Sequence, residues 1–379
     1  MNQTRLSVCI GASLLALSAS SAHSADIAVG VAQALSGGAA QYGAAIRNGV
    51  QLAADEINAA GGINGDKIRL VVEDEQGKKE EAINVYKKLI FQDKVLMVLG
   101  PTLSNSAAAV NPIAQGSKMV NFGTSHTADG ITAVGEYIFR NAMMEADVLP
   151  ETIRVAVRKA SIKKVAVLYG HDDVFTKSGY DNFKKALEDQ KIPVVTTETF
   201  AKGDVDFKAQ LTKIKSLNPD AIVLSALIAE GAPILVQARQ LGINVPFIGG
   251  NGMNSTKVFE LAKGASENLF IGSPWSSSNA TPVNTKFIKA YTERFKVAPD
   301  QFAAQSYDAM YIAAQAFKEV KFTGNIATDR SALAAKLPSV KWEGATGPFE
   351  FRRFKDKGYD AQQTPIVSVT KGRAFVIEK

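Results

Sequence analysis

Cysteine is all but absent from this sequence: Cys9 is the only one in 379 residues. It lies within an N-terminal segment that reads as a leader, so the mature chain is predicted to have no disulfide, no thiol nucleophile and no cysteine-bound metal. Histidine is nearly as scarce, at three residues. His23 falls in the same leader. His126 and His171 have no companions at the spacing a metal site needs, and both read as surface or loop histidines. No apolar run after the leader approaches the roughly 18 residues of a membrane span. Lysine and arginine (43) stand against aspartate and glutamate (37), dispersed without a long run of one sign, which gives nucleic-acid binding little support. Three chemical motifs are also missing. No Gly-x4-Gly-Lys-Ser/Thr cradles a phosphate, no Gly-x-Gly-x-x-Gly follows the first predicted strand, and no Gly-x-Ser-x-Gly elbow presents a nucleophile. A Ser–His–Asp hydrolase built from Ser104 or Ser125 with His171 and Asp172 therefore lacks its usual frame.

What is present begins with export. Arg5 gives residues 1–24 a positive start, 6–17 form a short apolar run, and Ala22-His23-Ser24 resembles a small-x-small cleavage site. A cleaved signal peptide and a soluble, exported product are expected. The remaining length suits two domains better than one core.

Short apolar runs alternate with helical patterns along most of the chain. Strands are predicted at 26–32, 68–73, 95–99, 119–122, 164–169, 193–197, 221–225, 246–249 and 269–273. Between them, Ile46, Val50, Ala53 and Ile57 recur at helical spacing over 44–59, and 78–91, 107–115, 178–190, 207–216 and 231–241 read the same way. Strand, helix, strand in series means right-handed crossovers and parallel sheets covered on both faces. The fold class is α/β, two doubly wound parallel-sheet units, because the series runs twice: 26–140 and 142–271. The tail differs, with helical patterns at 283–295 and 302–320 and short strands near 346–351 and 365–369.

Two segments carry the candidate chemistry. Residues 99–106 and 121–125 are strand ends running into Gly, Ser and Thr. Such a strand end leaves backbone N–H groups free at the next helix start, a ready site for a small anion such as a carboxylate. Ser104 with Asn105, and Thr124 with Ser125, are thus either plain helix caps or ligand contacts. The glycines of Ser36-Gly37-Gly38 are either a plain turn or a place where backbone approaches a ligand. Trp275, after the last strand of the second series, is either a packing aromatic or a pocket wall. Phe122 is a further wall candidate.

Taken together, these segments resemble the periplasmic leucine/isoleucine/valine-type solute-binding proteins of ATP-driven importers. The matching pieces are Gln41-Tyr42-Gly43, the run Asn58-Ala59-Ala60-Gly61-Gly62-Ile63-Asn64-Gly65, residues 100–106, Asp206-Phe207, residues 237–242, Phe302 with Tyr307-Asp308-Ala309, and Gly347-Pro348. The likeness spans essentially the whole mature chain.

The resemblance implies a type I periplasmic binding protein: two lobes joined by three crossings, closing on a ligand like a Venus flytrap, with no catalysis and no cofactor. It places the lobes at 25–140 plus 274–347 and at 141–273 plus 348–379. It implies a monomer in the periplasm that serves permease and ATPase subunits. It assigns the ligand carboxylate to Ser104 and Ser125, with Thr124 beside them, an ammonium-facing carbonyl to Gly123, and aromatic wall positions to Tyr42 and Phe302. In the second lobe the chain departs from the pattern. Phe175 and Leu227 stand where the family has tyrosines, and Asn251 stands where it has the acid that pairs with an ammonium. Gly77 and Leu103 occupy the positions of the family's disulfide. An ammonium without its acid loses a charge-assisted bond of roughly 1.5–3 kcal/mol. The expected ligand is an amino acid or related small carboxylate, with amine-free aromatic or aliphatic acids as the alternative and a ligand-sensing role as a rival to transport.

Overall fold

The computed structural model describes residues 26–355 and 357–378. The predicted leader, with Cys9, lies outside the described residues. In a first sheet, β1 (Asp26–Gln33), β2 (Lys67–Asp74), β3 (Met97–Leu99), β4 (Val120–Gly123) and β5 (Ile138–Arg140) run parallel in the order β5-β4-β3-β1-β2. In a second, β6 (Val165–Gly170), β7 (Val194–Phe200), β8 (Ala221–Ser225), β9 (Phe247–Gly249) and β10 (Leu269–Ser273) repeat that topology in the order β10-β9-β8-β6-β7. The crossovers are α1 (Ala40–Ala59), α2 (Lys79–Lys87) and α3 (Ser104–Gly116) on the first sheet. On the second they are α5 (Val174–Asp189), α6 (Lys208–Ser216), α7 (Ile228–Gln240) and the short α8 (Lys257–Leu261), with α4 (Glu145–Ala160) leading in. The doubled α/β series predicted from apolar periodicity is therefore the architecture observed.

Three helices of the tail complete the first lobe: α9 (Pro282–Phe295), α10 (Gln301–Glu319) and α11 (Ile326–Lys336). The face of α1 that carries Ile46, Val50 and Ala53 is wholly buried, each large side chain contributing roughly 1.5–3 kcal/mol. Gly49 lets α10 come close, because a methyl group there would overlap the Ala303 carbonyl and the Ser306 hydroxyl.

The chain passes between lobes three times. The first two passages are at 141–144, between β5 and α4, and at 274–281, between β10 and α9. The third lies past the boundary at 347–348 that the resemblance implies. β11 (Lys341–Gly344), β12 (Gly347–Arg353) and β13 (Tyr359–Gln362) extend the first sheet beyond β5, and only β14 (Ile366–Lys371) and β15 (Ala374–Ile377) join the second. Residues 348–362 thus belong to the first lobe, and the crossing lies between Gln362 and Ile366. Gly347, expected at the hinge, instead closes the β11–β12 hairpin opposite Gly344 with φ of 84°. The cause is aromatic packing. Phe351 sits 5.6 Å from Phe122 and 5.5 Å from Phe139, and Tyr359 stacks on Phe139 at 4.8 Å. The buried pair Arg140–Asp360, 2.6 Å apart, locks β13 to β5.

Candidate functional site

A pocket of about 340 Å³ opens between the lobes at the carboxyl ends of the strands, lined by Tyr42, Thr102, Leu103, Ser104, Ser125, His126, Asp173, Phe175, Leu227, Asn251, Gly252 and Phe302. Ligands of doubly wound sheets bind at such strand ends. Seven of the residues singled out in the sequence meet here: Tyr42, Ser104, Ser125, Phe175, Leu227, Asn251 and Phe302.

The polar end is built on the loop from β3 into α3. Gln33 fixes it, donating to the Leu99 carbonyl at 3.0 Å and accepting from the Thr102 hydroxyl at 2.7 Å. Glu75 holds it from below, accepting from the Thr102 N–H and the Ser106 hydroxyl. The first residue before α3 is Leu103, and no side chain caps that helix. Neither Ser104 nor Asn105 is a cap, so the plain-cap reading of this pair fails. Ser104 Oγ accepts from the Ala128 N–H at 3.3 Å. The Asn105 amide instead crosses the cleft, donating to Asp173 at 2.7 Å and accepting from the Val174 N–H at 2.8 Å. The Ser125 hydroxyl donates to the Thr102 carbonyl at 2.7 Å. Gly77 packs against Leu103, where an added β-carbon would stand 3.3 Å from Leu103 Cδ1, so the two positions matching the family's disulfide are neighbours held by contact alone.

Four expectations are corrected. The Gly123 carbonyl accepts from the Asn141 N–H at 3.0 Å, and Gly123 does not line the pocket. Thr124 is fully buried outside the lining, its hydroxyl without a partner. Phe122 faces Phe351 in the sheet's aromatic layer. Trp275 is a hinge-packing residue, its ring N–H donating to Asn284 at 2.7 Å. Backbone pairing claims the Gly123 carbonyl, sheet packing claims Phe122, and a side chain of α9 claims Trp275. Asn251 lines the pocket, but its amide is spent on protein. It donates to the Ser125 carbonyl at 3.2 Å and accepts from Gln301.

Two residues read differently from the sequence now matter. His126, expected on the surface, is 2% exposed and lines the pocket. Burial, aided by the Arg140 charge, lowers its pKa to about 3, so the ring is neutral. Asp173, also on the lining, begins α5 and accepts from the Thr176 N–H at 3.1 Å as well as from Asn105; burial raises its pKa. From the sequence, Asp172 or Asp173 can replace the acid missing at Asn251, and Asp173 is the one that reaches the lining. His171 bonds the Phe200 carbonyl at 2.8 Å, outside the pocket.

The lobes touch around the pocket. The Tyr42 hydroxyl donates to the Gly252 carbonyl at 2.6 Å and accepts from the Ile228 N–H at 2.8 Å. Asn254 donates to Gln301 at 2.6 Å, and Ser255 to Asp300 at 2.9 Å. At the first crossing Glu145 accepts from the Thr127 hydroxyl at 2.9 Å, and burial raises its pKa to about 7. Protonated Glu145 is cheap to bury and ionised Glu145 is not. The stability it lends is full below pH 4.5 and lost as pH rises through about 7. Between those limits the stability of Glu145→Gln relative to wild type should shift in the variant's favour by roughly 3 kcal/mol. Urea melts of both proteins at pH 4.5 and pH 8 check this; a constant difference would show that Glu145 does not titrate there.

Two lobes, three crossings and an interlobe pocket define a hinged ligand-capturing protein. The profile described as "Periplasmic binding protein" matches residues 26–373, and the chain belongs to that family. It is similar to the Leu/Ile/Val-binding protein of Citrobacter freundii, 26% identical over 95% of this chain and 96% of the relative. Among solved structures it is similar to the branched-chain amino acid transporter substrate-binding protein LivJ of Streptococcus pneumoniae in complex with isoleucine. That match has a TM-score of 0.85 and 30% identity over 93% of this chain and 99% of the other. A solute-binding protein of R. palustris in complex with benzoate has the same fold, with a TM-score of 0.83 and 24% identity over 93% and 95%. Among the described residues no helix is long and apolar enough to cross a membrane.

Proposed function

We propose that this protein is the exported capture component of an ABC importer, closing on a small carboxylate with an apolar body and delivering it to a membrane permease in the periplasm. The carrying observation is the division of the pocket. Ser104, Ser125 and the uncapped start of α3 make one end; Tyr42, Phe175, Leu227 and Phe302 make the wall. A helix start with hydroxyls favours an anion, and the wall takes apolar surface at about 25 cal/mol per Å². Contacts from both lobes bias the hinge toward the closed form when ligand is present. The protein performs no chemistry in this reading. Both serine hydroxyls bond backbone groups rather than a base, so neither serine is activated as a nucleophile.

We take the ligand to lack an ammonium. The acceptors that would face one are engaged: the Gly123 carbonyl by Asn141, the Asn251 oxygen by Gln301. The second reading, an α-amino acid, is favoured by Asp173, a carboxylate on the lining bonded to an amide and a backbone N–H but to no cation. Ser104→Ala should weaken carboxylate binding by about tenfold, the worth of one hydrogen bond to a charged group. Calorimetry with benzoate, 4-methylpentanoate and leucine tests it, and unchanged affinity removes Ser104 from the site.

A further inference from the structure

We infer that His126 is a specificity residue of this pocket: its imidazole donates an N–H to the ligand carboxylate, a third neutral donor beside Ser104 and Ser125. The inference rests on the carboxylate reading above and deepens it.

His126 follows Ser125 directly and shares the polar wall with Thr102 and Ser104. Its ring is almost fully buried, and neither ring nitrogen makes a well-aligned hydrogen bond in the protein, although the backbone of Gly100 and of His126 itself lies close enough to act on the ring. Buried polar groups are nearly always satisfied, so an exception on a pocket lining calls for an explanation such as a ligand or a water. The surroundings hold this ring in place rather than use it. The Arg140 guanidinium donates to the His126 carbonyl at 3.3 Å and to the Ala128 carbonyl at 2.8 Å, pinning the backbone on both sides. Gly123 makes the room: a methyl group on it would overlap the imidazole. This gives a physical reason for glycine at that position, independent of any carbonyl it offers.

The pocket lining contains no lysine or arginine. A carboxylate there is held by dipoles alone, from hydroxyls, the α3 start and the imidazole. The ring stays neutral beside the Arg140 charge, so it has one N–H to give. Such a donor rewards a carboxylate oxygen and offers an ammonium nothing while so oriented.

Ring-nitrogen NMR of histidine-labelled protein tests this, because His126 and His171 are the only histidines of the described chain and His171 serves as the internal control. The probes are benzoate, 4-methylpentanoate and leucine. The tightest-binding acid should move the His126 nitrogen signals and leave those of His171 in place. His126→Phe should lose about 10- to 100-fold in affinity for that acid, with a melting temperature of ligand-free protein equal to or above wild type, since two unsatisfied polar atoms are gone. His126→Asn should recover part of the loss, and Gly123→Ala should reproduce it by displacing the ring. Unmoved His126 signals, or wild-type affinity in His126→Phe while Ser104→Ala still weakens binding, would overturn the inference and leave the carboxylate reading standing. A loss of binding matched by a fall in ligand-free stability would assign His126 a structural role instead. If no carboxylate binds wild type, both readings fall. Should His126→Phe fail to fold, the wild-type ring signals decide alone.

Discussion

Replacing Arg140 with methionine is expected to destabilise the ligand-free protein by about 3–5 kcal/mol, the cost of leaving a buried charge without its partner. Arg140 and Asp360 are both fully buried, and the guanidinium also donates to two backbone carbonyls. Asp360 further accepts from the Thr132 hydroxyl at 3.0 Å. Without Arg140, the Asp360 carboxylate has one hydroxyl left to hold its charge. The pair joins β5 to β13, so its loss loosens the strand that keeps the tail in the first lobe. Asp360→Leu in the Arg140→Met background should recover much of the loss, because an apolar pair of similar volume avoids the desolvation penalty of a lone ion. Urea denaturation of wild type and the two variants checks the ordering. A single variant as stable as wild type would show that the pair contributes nothing.

Tyr42→Phe should act on closure instead. The hydroxyl belongs to the first lobe, and both its partners, the Gly252 carbonyl and the Ile228 N–H, belong to the second. Burial pushes the Tyr42 phenol well above its ordinary range, so it stays a donor at any working pH. Removing it orphans two backbone groups only when the lobes meet, at roughly 1–3 kcal/mol each. Affinity should fall about 30-fold or more, while the melting temperature of ligand-free protein stays unchanged. The ring remains to pack edge-on against Phe302 at 4.8 Å, so the pocket wall survives. Calorimetry paired with melting distinguishes this from damage to the fold: equal losses in both would remove Tyr42 from the latch.

Much of this was legible in the sequence because it follows from periodicity. All nine predicted strands exist, and the four-three-four spacing of Ile46, Val50, Ala53 and Ile57 marks the buried face of α1. What failed was set by long-range packing. Ile138–Arg140 is short and ends on a charged residue, and it is a strand through pairing with β4 and β13. The hinge expected at Gly347 moved to 363–365 because Phe351 and Tyr359 found partners more than two hundred residues away. At the site, the residue types after β3 and β4 singled out Ser104 and Ser125, and both line the interlobe pocket. Phe122 did not follow because its ring packs on Phe351; the Gly123 carbonyl is taken by the Asn141 N–H, and Thr124 is buried outside the lining. His126 was missed because one histidine in a Ser/Thr-rich loop carries no spacing signal. Only the surrounding burial, Gly123 and Arg140 give it a role.

The most direct test is calorimetry of the ligand-free protein with leucine and with 4-methylpentanoate, which keeps the same branched body and carboxylate and lacks only the amine. The pocket described here predicts that the amine-free acid binds at least about tenfold tighter, because Asn251 stands in place of the acid that pairs with an ammonium and its oxygen is engaged by Gln301. Tighter binding of leucine would contradict that claim and make Asp173 the ammonium's partner.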